Sequence, residues 1–243
     1  MSVWYQDWFD SPFYEILYRR RDEDEAIDLI KNLINLLKPV FPCICLDVGC
    51  GIGRHAKVLN DFGFEVKAVD LSFKNIRKAK EFEKEGLEFY RHDMRDILYI
   101  NYVDYVFNFF TSFGYFDTLY DERNAARSMA LNLKPNGILI MDYLNANYVI
   151  DRLKDEEKFT LNDIDFEISR KISNDWVIKD IKVCEQDSCQ MFHEKVKLYK
   201  LEDLIQLFSP FGLTFSRVFG NYALGPYDES TSPRMILEFK KQS

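Results

Sequence analysis

The sequence predicts an α/β fold built on a doubly wound, mostly parallel sheet, with a small antiparallel insert late in the chain. Three observations predict it. Apolar strand-like runs alternate with helix-period segments between positions 43 and 142, and such alternation makes the helices crossovers between parallel strands. Gly49, Gly51 and Gly53 follow the first of those runs at every second position and stand directly before a helix. Between about Phe159 and Lys200 the apolar period shortens to two, as it does in half-buried antiparallel strands.

The elements follow in order. Up to Tyr18 the chain crowds Trp4, Tyr5, Trp8, Phe9, Phe13, Tyr14 and Tyr18 together, and so many rings need a surface to cover. Ile27, Ile30, Ile34 and Leu37 recur at helical spacing until Pro39 stops the helix. Strands are expected over 43–48, 64–69, 87–91, 102–110 and 138–142. The fourth is apolar on both faces, as a central parallel strand is. Helices are expected over 54–61, over 73–85 with Gly86 as its stop, and through Ala126, Met129, Ala130 and Leu133 on one face. Pro135-Asn136-Gly137 turns the chain into the fifth strand. In the insert, Ile164, Phe166 and Ile168 alternate with Asp165, Glu167 and Ser169, with turns at Asn174-Asp175 and between Cys184 and Cys189. Leu201, Leu204, Ile205 and Phe208 give one more helix, closed by Gly212, before strands over 213–219 and 235–240. The expected division is an N-terminal helical segment over 1–40, a core over 41–156, the insert over 157–200 and a C-terminal completion of the core sheet over 201–243.

Composition narrows the partners. A chain of 243 residues, 47% apolar and 30% charged, is long enough for one large domain with an appended subdomain. Its net charge of -8 argues against a surface that tracks phosphates, so no nucleic-acid partner is expected. Arg19, Arg20 and Arg21 run straight into Asp22, Glu23, Asp24 and Glu25, the pattern of a solvated helix boundary. No stretch reaches the roughly 18 apolar residues that span a bilayer, and the first residues lack a leader pattern, so a cytoplasmic protein without a membrane partner is expected. Five cysteines without metal-like spacing predict no metal site and reduced thiols, Cys184 and Cys189 included.

The stretch from Leu46 to His55 carries the chemistry. A side chain on any of its three glycines would keep the backbone from closing on a ligand, and the helix behind them presents unpaired amide donors. The spacing separates two ligand classes. A dinucleotide fingerprint places its third glycine where Arg54 stands, with Gly53 one residue early, so the GxGxG form fits better. Asp70 ends the second strand, 17 residues beyond Gly53, where an ionised carboxylate accepts both hydroxyls of a ribose. Leu71 is placed to lie against one face of an adenine.

Asp47 to Gly53, Asp70, Asp93 and a fourth strand entering Phe110-Thr111-Ser112-Phe113-Gly114-Tyr115-Phe116 arrive in the order and spacing of class I S-adenosylmethionine-dependent methyltransferases, which the stretch 43–142 resembles. Trp8-Phe9-Asp10-Ser11-Pro12-Phe13-Tyr14, followed by Tyr18 and Arg21-Asp22, is similar to a bacterial group related to small-molecule N-methyltransferases of the amino-sugar type. The resemblance implies a Rossmann-like, seven-stranded sheet with its last strand antiparallel, an N-terminal helical lid and an antiparallel insert over the active site. It implies S-adenosylmethionine as cofactor and S-adenosylhomocysteine as its product. The implied cofactor set is Asp47, Gly49, Cys50, Gly51, Gly53, Asp70, Leu71, Asp93, Met94 and Phe110. Asp93 would meet the adenine amine, with Asp96 as the alternative reader, and the Met94 amide would meet the ring. Tyr14 and Tyr18 would line the sulfonium and Arg21 would pair with the methionine carboxylate.

No catalytic residue is assigned. In-line methyl displacement draws on alignment and the exclusion of water, and an amine that arrives neutral needs no base, whereas a hydroxyl does. His193 in the insert is a candidate contact to the acceptor, and the resemblance adds Tyr115, Tyr222 and Arg234. His55 is expected to support the loop. Asn108-Phe109-Phe110-Thr111-Ser112 is not the Asp/Asn-Pro-Pro-aromatic pattern of enzymes that methylate base amines. The expected function is methyl transfer to a small polar metabolite at nitrogen or oxygen. The alternatives are a methyltransferase of RNA or protein acting with a partner, and a non-catalytic S-adenosylmethionine-binding protein. The chain is expected as a monomer or homodimer.

Overall fold

The computed structural model describes residues 4–18, 23–186 and 188–243. Two short helices, α1 (Trp4–Phe9) and α2 (Pro12–Tyr18), precede α3 (Glu23–Leu37). Then come β1 (Ile44–Val48), α4 (Arg54–Asp61), β2 (Glu65–Asp70), α5 (Phe73–Ala79), β3 (Leu87–Arg91), β4 (Val103–Asn108), α6 (Leu119–Asn132), β5 (Leu133–Leu144) and α7 (Ala146–Asp151). The hairpin strands β6 (Glu156–Leu161), β7 (Ile164–Ser173), β8 (Trp176–Glu185) and β9 (Ser188–Lys197) lead to α8 (Leu201–Phe208), β10 (Leu213–Phe219) and β11 (Arg234–Lys241).

The main sheet runs β3-β2-β1-β4-β5-β11-β10, with β11 antiparallel to both of its neighbours. Strand order reverses between β1 and β4, so the loops after these two strands part and leave a crevice at their carboxyl ends. β1 shows why the sheet needs a helical layer on each face. Cys45 packs in one apolar cluster with Leu29, Ile30, Leu59 and Ile76 from α3, α4 and α5. Leu46 and Val48 pack in the other, with Ala126, Met129, Leu204 and Phe208 from α6 and α8. The second sheet, β6-β7-β8-β9, is antiparallel throughout.

Some boundaries move. The helix expected to reach position 85 ends at Ala79 and tightens into a 3₁₀ turn over Lys80–Phe82. Pro135-Asn136-Gly137 is an excursion inside β5 and not its start, since Leu133 already pairs with Val103 before Ile138 pairs with Tyr105. Ile27 is exposed, and Ala26, Leu29, Ile30 and Leu33 form the buried stripe of α3. The reduced thiols expected at 184 and 189 are corrected: these residues sit opposite one another across the β8–β9 hairpin and are joined in a disulfide. The aromatic start of the chain finds its surface there too. Trp8 and Phe13 pack on Ile164, Phe166, Ile168, Ile181 and Val183, so α1 and α2 cover one face of the insert sheet. No helix among the described residues is long and apolar enough to cross a membrane.

Candidate functional site

The turn after β1 is pinned to the end of β2, because the Gly49 and Cys50 amides both donate to the Val69 carbonyl, at 2.8 and 3.0 Å. Gly53 opens α4 in the left-handed region, at φ 85°, with no side-chain cap, so first-turn amides stay available to a ligand. A Cβ on Gly53 would come within 2.6 Å of the Phe89 ring, whereas one on Gly51 meets nothing within 4 Å. The glycines therefore do different work. Gly53 keeps the turn close to β3, and Gly51 faces open space.

That space is a cavity of about 690 Å³ between the turn, the end of β2 and helices α1 and α2. Gly49, Cys50, Gly51, Asp70, Leu71, Asp93, Met94, Phe110, Tyr14, Tyr18 and Tyr115 all line it. Asp47 and Gly53 stand behind the lining. Arg21 lies outside the described residues.

The two carboxylates of the turn differ in their surroundings. Asp70 Oδ2 accepts the Gly51 amide at 2.9 Å and Oδ1 accepts the Ser72 amide at 2.8 Å. Burial raises its pKa, and these amides only partly offset that rise. Asp47 is 1% exposed, and its Oδ2 has no hydrogen-bond partner among the described residues. Burial, then the charge of Asp70, pushes its carboxyl up to about 7, against the pull of Arg54.

Asp93 reaches the cavity already engaged. Arg95 Nη2 donates to its Oδ2 at 2.6 Å and Arg95 Nε to its Oδ1 at 3.1 Å, while Arg95 Nη1 holds Asp121 at 2.9 Å. Although burial opposes it, the Arg95 fork holds the Asp93 carboxyl below the usual range. Asp96, the alternative reader, does not line the cavity. Arg54, absent from the expected site residues, also lies on the cavity wall, its guanidinium 5.9 Å from the Phe110 ring centre. The signal was present, since Arg54 occupies the place of a third glycine. His55 lines the same wall, stacked on Phe109 at 4.6 Å.

A second cavity of about 490 Å³ shares Phe9, Tyr14, Tyr18, Phe110 and Tyr115 with the first and opens toward Val177, Lys179, Glu194 and Val196 of the insert. The four candidate acceptor contacts divide here. Tyr115 lines both cavities. Arg234 lines the second, with Nε donating to Asp142 Oδ1 at 2.7 Å and Nη2 to Thr111 Oγ1 at 2.8 Å. Tyr222 lines neither cavity, and its hydroxyl donates to Asp142 Oδ2 at 3.0 Å. His193 is exposed, lines neither, and sets Nδ1 2.7 Å from Asp180 Oδ1.

Asp142 also shapes the wall between the cavities. Phe110 and Thr111 sit in the left-handed region at φ 58° and 57°, a conformation that costs a non-glycine residue about 1–2 kcal/mol. The Phe110 amide donates to Asp142 Oδ2 and the Thr111 amide to the Asp142 carbonyl, each at 2.9 Å. On the insert side, Glu194 accepts from Trp8 Nε1 at 3.0 Å, the Tyr18 hydroxyl at 2.8 Å and Lys179 Nζ at 2.9 Å. Burial raises the Glu194 pKa, but Lys179 and these donors outweigh it and hold the carboxyl below its usual range. Asp10 meets Ser72, and Glu15 meets Lys78, on the opposite side of the lid.

The residues present fit S-adenosylmethionine. Asp47, just behind the lining, keeps a buried oxygen without a hydrogen-bond partner among the described residues, the space over Gly51 is open, and Asp70 keeps lone pairs beyond the two amides it accepts.

The chain matches the family model of a methyltransferase domain over residues 18–217. It belongs to the methyltransferase-domain family. Its sequence is 27% identical over 132 residues to dTDP-3-amino-3,4,6-trideoxy-alpha-D-glucopyranose N,N-dimethyltransferase of Streptomyces venezuelae, over 53% of this chain and 54% of that protein. The chain spans about half the length of the curated relatives it matches. Among solved structures it is similar to an S-adenosylmethionine-dependent methyltransferase from Clostridium acetobutylicum, with TM-score 0.79 and 19% identity over 95% of this chain and 96% of that one. An amino pentose methyltransferase from Micromonospora echinaspora, solved with S-adenosylmethionine bound, gives TM-score 0.70 and 19% identity over 96% and 98%. At such identity the likeness is one of fold. The methyltransferase domain thus has the expected seven-stranded sheet, and α1 and α2 pack on the separate insert sheet.

Proposed function

We propose that the protein is an S-adenosylmethionine-dependent methyltransferase that methylates a small polar metabolite at nitrogen or oxygen. One observation carries the reading: two cavities, one lined by the glycine turn and Asp70 and the other by the insert, meet at Tyr14, Tyr18, Phe110 and Tyr115. When bound, S-adenosylmethionine supplies a methyl group on a positively charged sulfur. Asp70 holds the ribose hydroxyls, Leu71 and Met94 flank the adenine, and Asp93 takes its amine through oxygens that Arg95 has already oriented. The faces of Tyr14 and Tyr18 favour positive charge where the cavities meet. Arg54, on the cavity wall, offers a guanidinium to the methionine carboxylate.

The lid and the insert exclude water from that junction, which favours displacement over side reactions. Glu194 faces the acceptor side, but three donors hold it as a low-pKa carboxylate, so it is a poor proton acceptor. An amine that binds neutral suits this site best. Residues 157–200 then set the choice of acceptor, and the described part of the expected lid that borders the cavity, α1 and α2, closes over the donor.

Calorimetry with S-adenosylhomocysteine and with NAD, followed by release of S-adenosylhomocysteine across a panel of small amines and alcohols, tests the reading. Binding of the first nucleoside but not of NAD, with turnover on at least one acceptor, is expected. Tight NAD binding, or cofactor binding with no turnover on any acceptor, would overturn it.

A further inference from the structure

We propose, resting on the methyltransferase reading, that the acceptor carries an anionic group, carboxylate or phosphoryl, which Arg152 and Lys154 receive at the solvent end of the second cavity. The charge of the chain as a whole is -8, yet this cavity has the opposite sign. Its lining holds five cationic side chains and two carboxylates.

Three of the five cations are answered. Arg170 Nη2 lies 2.7 Å from Glu157, Lys179 Nζ 2.9 Å from Glu194, and Arg234 Nε 2.7 Å from Asp142 behind the wall. Arg152 and Lys154 remain, and among the described residues neither forms an ion pair. Asp151, Asp155 and Glu156 flank them in sequence; all five side chains are exposed, but of these only Arg152 and Lys154 line the cavity. Arg152 is held over the Tyr148 ring, 4.2 Å from its centre, so its planar donors are partly ordered before a ligand arrives.

Two uncancelled cations in a concave site focus a positive potential there. A carboxylate or phosphoryl group is the matching ligand, and arginine binds either through paired N–H donors. The cavity thus has an aromatic end at Phe110 and Tyr115, an apolar middle that includes Leu144, Val149 and Val196, and a cationic rim. That layout orients an acceptor with its nucleophile inward and its anion outward.

The experiment titrates the full chain, saturated with S-adenosylhomocysteine, with ethanolamine, β-alanine, O-phosphoethanolamine and inorganic phosphate, read by calorimetry. At least one of the two anionic amines is expected to bind tenfold or more tightly than ethanolamine. The comparison of β-alanine with O-phosphoethanolamine identifies the anion, and inorganic phosphate reports the phosphoryl seat alone. In Arg152→Gln/Lys154→Gln the preference is expected to disappear while S-adenosylhomocysteine affinity stays within twofold. Equal binding of ethanolamine, no binding of any probe, or a preference that survives the double substitution overturns the proposal. Failure of S-adenosylhomocysteine to bind wild type overturns the cofactor reading instead, and the anion titrations then judge the rim by themselves.

Discussion

Asp70 accepts the Gly51 amide at 2.9 Å, so the carboxylate proposed to hold the ribose is also the brace that closes the glycine turn. Its other oxygen takes the Ser72 amide at 2.8 Å, which ties that turn to the start of α5.

Asp70→Ala is therefore expected to act twice. Two backbone donors lose their acceptor, at a cost of about 1–3 kcal/mol, and cofactor affinity falls by more than tenfold. Urea denaturation and calorimetry with S-adenosylhomocysteine measure the two effects separately. Unchanged affinity in a folded variant sinks the ribose assignment.

Asp47 gives a pH dependence with a definite sign. Its carboxyl is raised from 3.8 to about 7, so between those values the folded chain holds a proton that the unfolded chain has released. Stability of the cofactor-free protein should fall as pH rises through that window, by on the order of 4 kcal/mol. A cationic group beside Asp47 draws the proton off, so cofactor affinity should rise from about pH 6 to about pH 8 with proton release on binding. Asp47→Asn should flatten both profiles. Calorimetry in two buffers of different ionisation enthalpy reads the proton directly, and equal enthalpies in both would contradict the assignment.

The sheet was legible because strands and helices announce themselves by period, and the lining of the first cavity was legible because glycines and strand-end acids mark backbone geometry. Asp70, Leu71, Asp93 and Met94 all arrive at one cavity from the ends of β2 and β3. The second cavity was not legible in the same way. Tyr222 and Arg234 lie far along the chain from Asp142, and only the antiparallel pairing of β11 with β5 makes Arg234 its neighbour. Arg152 and Lys154 stand in an acidic stretch, Asp151 to Glu157, and only the fold shows that these two exposed cations border a cavity while Asp151, Asp155 and Glu156 do not. The lid followed a third rule. Its rings predicted a surface, but which surface depended on pairing within the insert.

Glu194 is the point where lid and insert meet, and its removal should free the lid. Glu194→Met leaves Lys179 without its partner beside Trp8 and Tyr18, and breaking a largely buried pair costs about 3 kcal/mol. The expected signs are a red shift of Trp8 emission, faster hydrogen exchange over residues 4–18 and about tenfold weaker cofactor binding. Lys179→Met/Glu194→Met should recover much of the stability, because two apolar side chains leave no buried charge unpaired. If exchange over residues 4–18 is unaltered in the single variant, the apolar packing of Trp8 and Phe13 on the insert and the contacts of Asp10 and Glu15 hold them without Glu194.

Arg234 braces a costly turn, and its replacement separates positioning from folding. It joins Asp142, 1% exposed, to Thr111 beside two left-handed residues. Arg234→Met strands the Asp142 carboxylate and should cost about 3 kcal/mol or more. Arg234→Lys keeps the charge but cannot span both partners, so a smaller stability loss is expected, with Phe110 and Thr111 less firmly held. Because Phe110 walls both cavities, the lysine variant should raise the acceptor KM and lower kcat several-fold, while S-adenosylhomocysteine affinity changes by less than about threefold. Steady-state kinetics beside calorimetry decide it. Parallel losses in cofactor affinity and stability, with no separate change in KM, would show that Arg234 serves the fold alone.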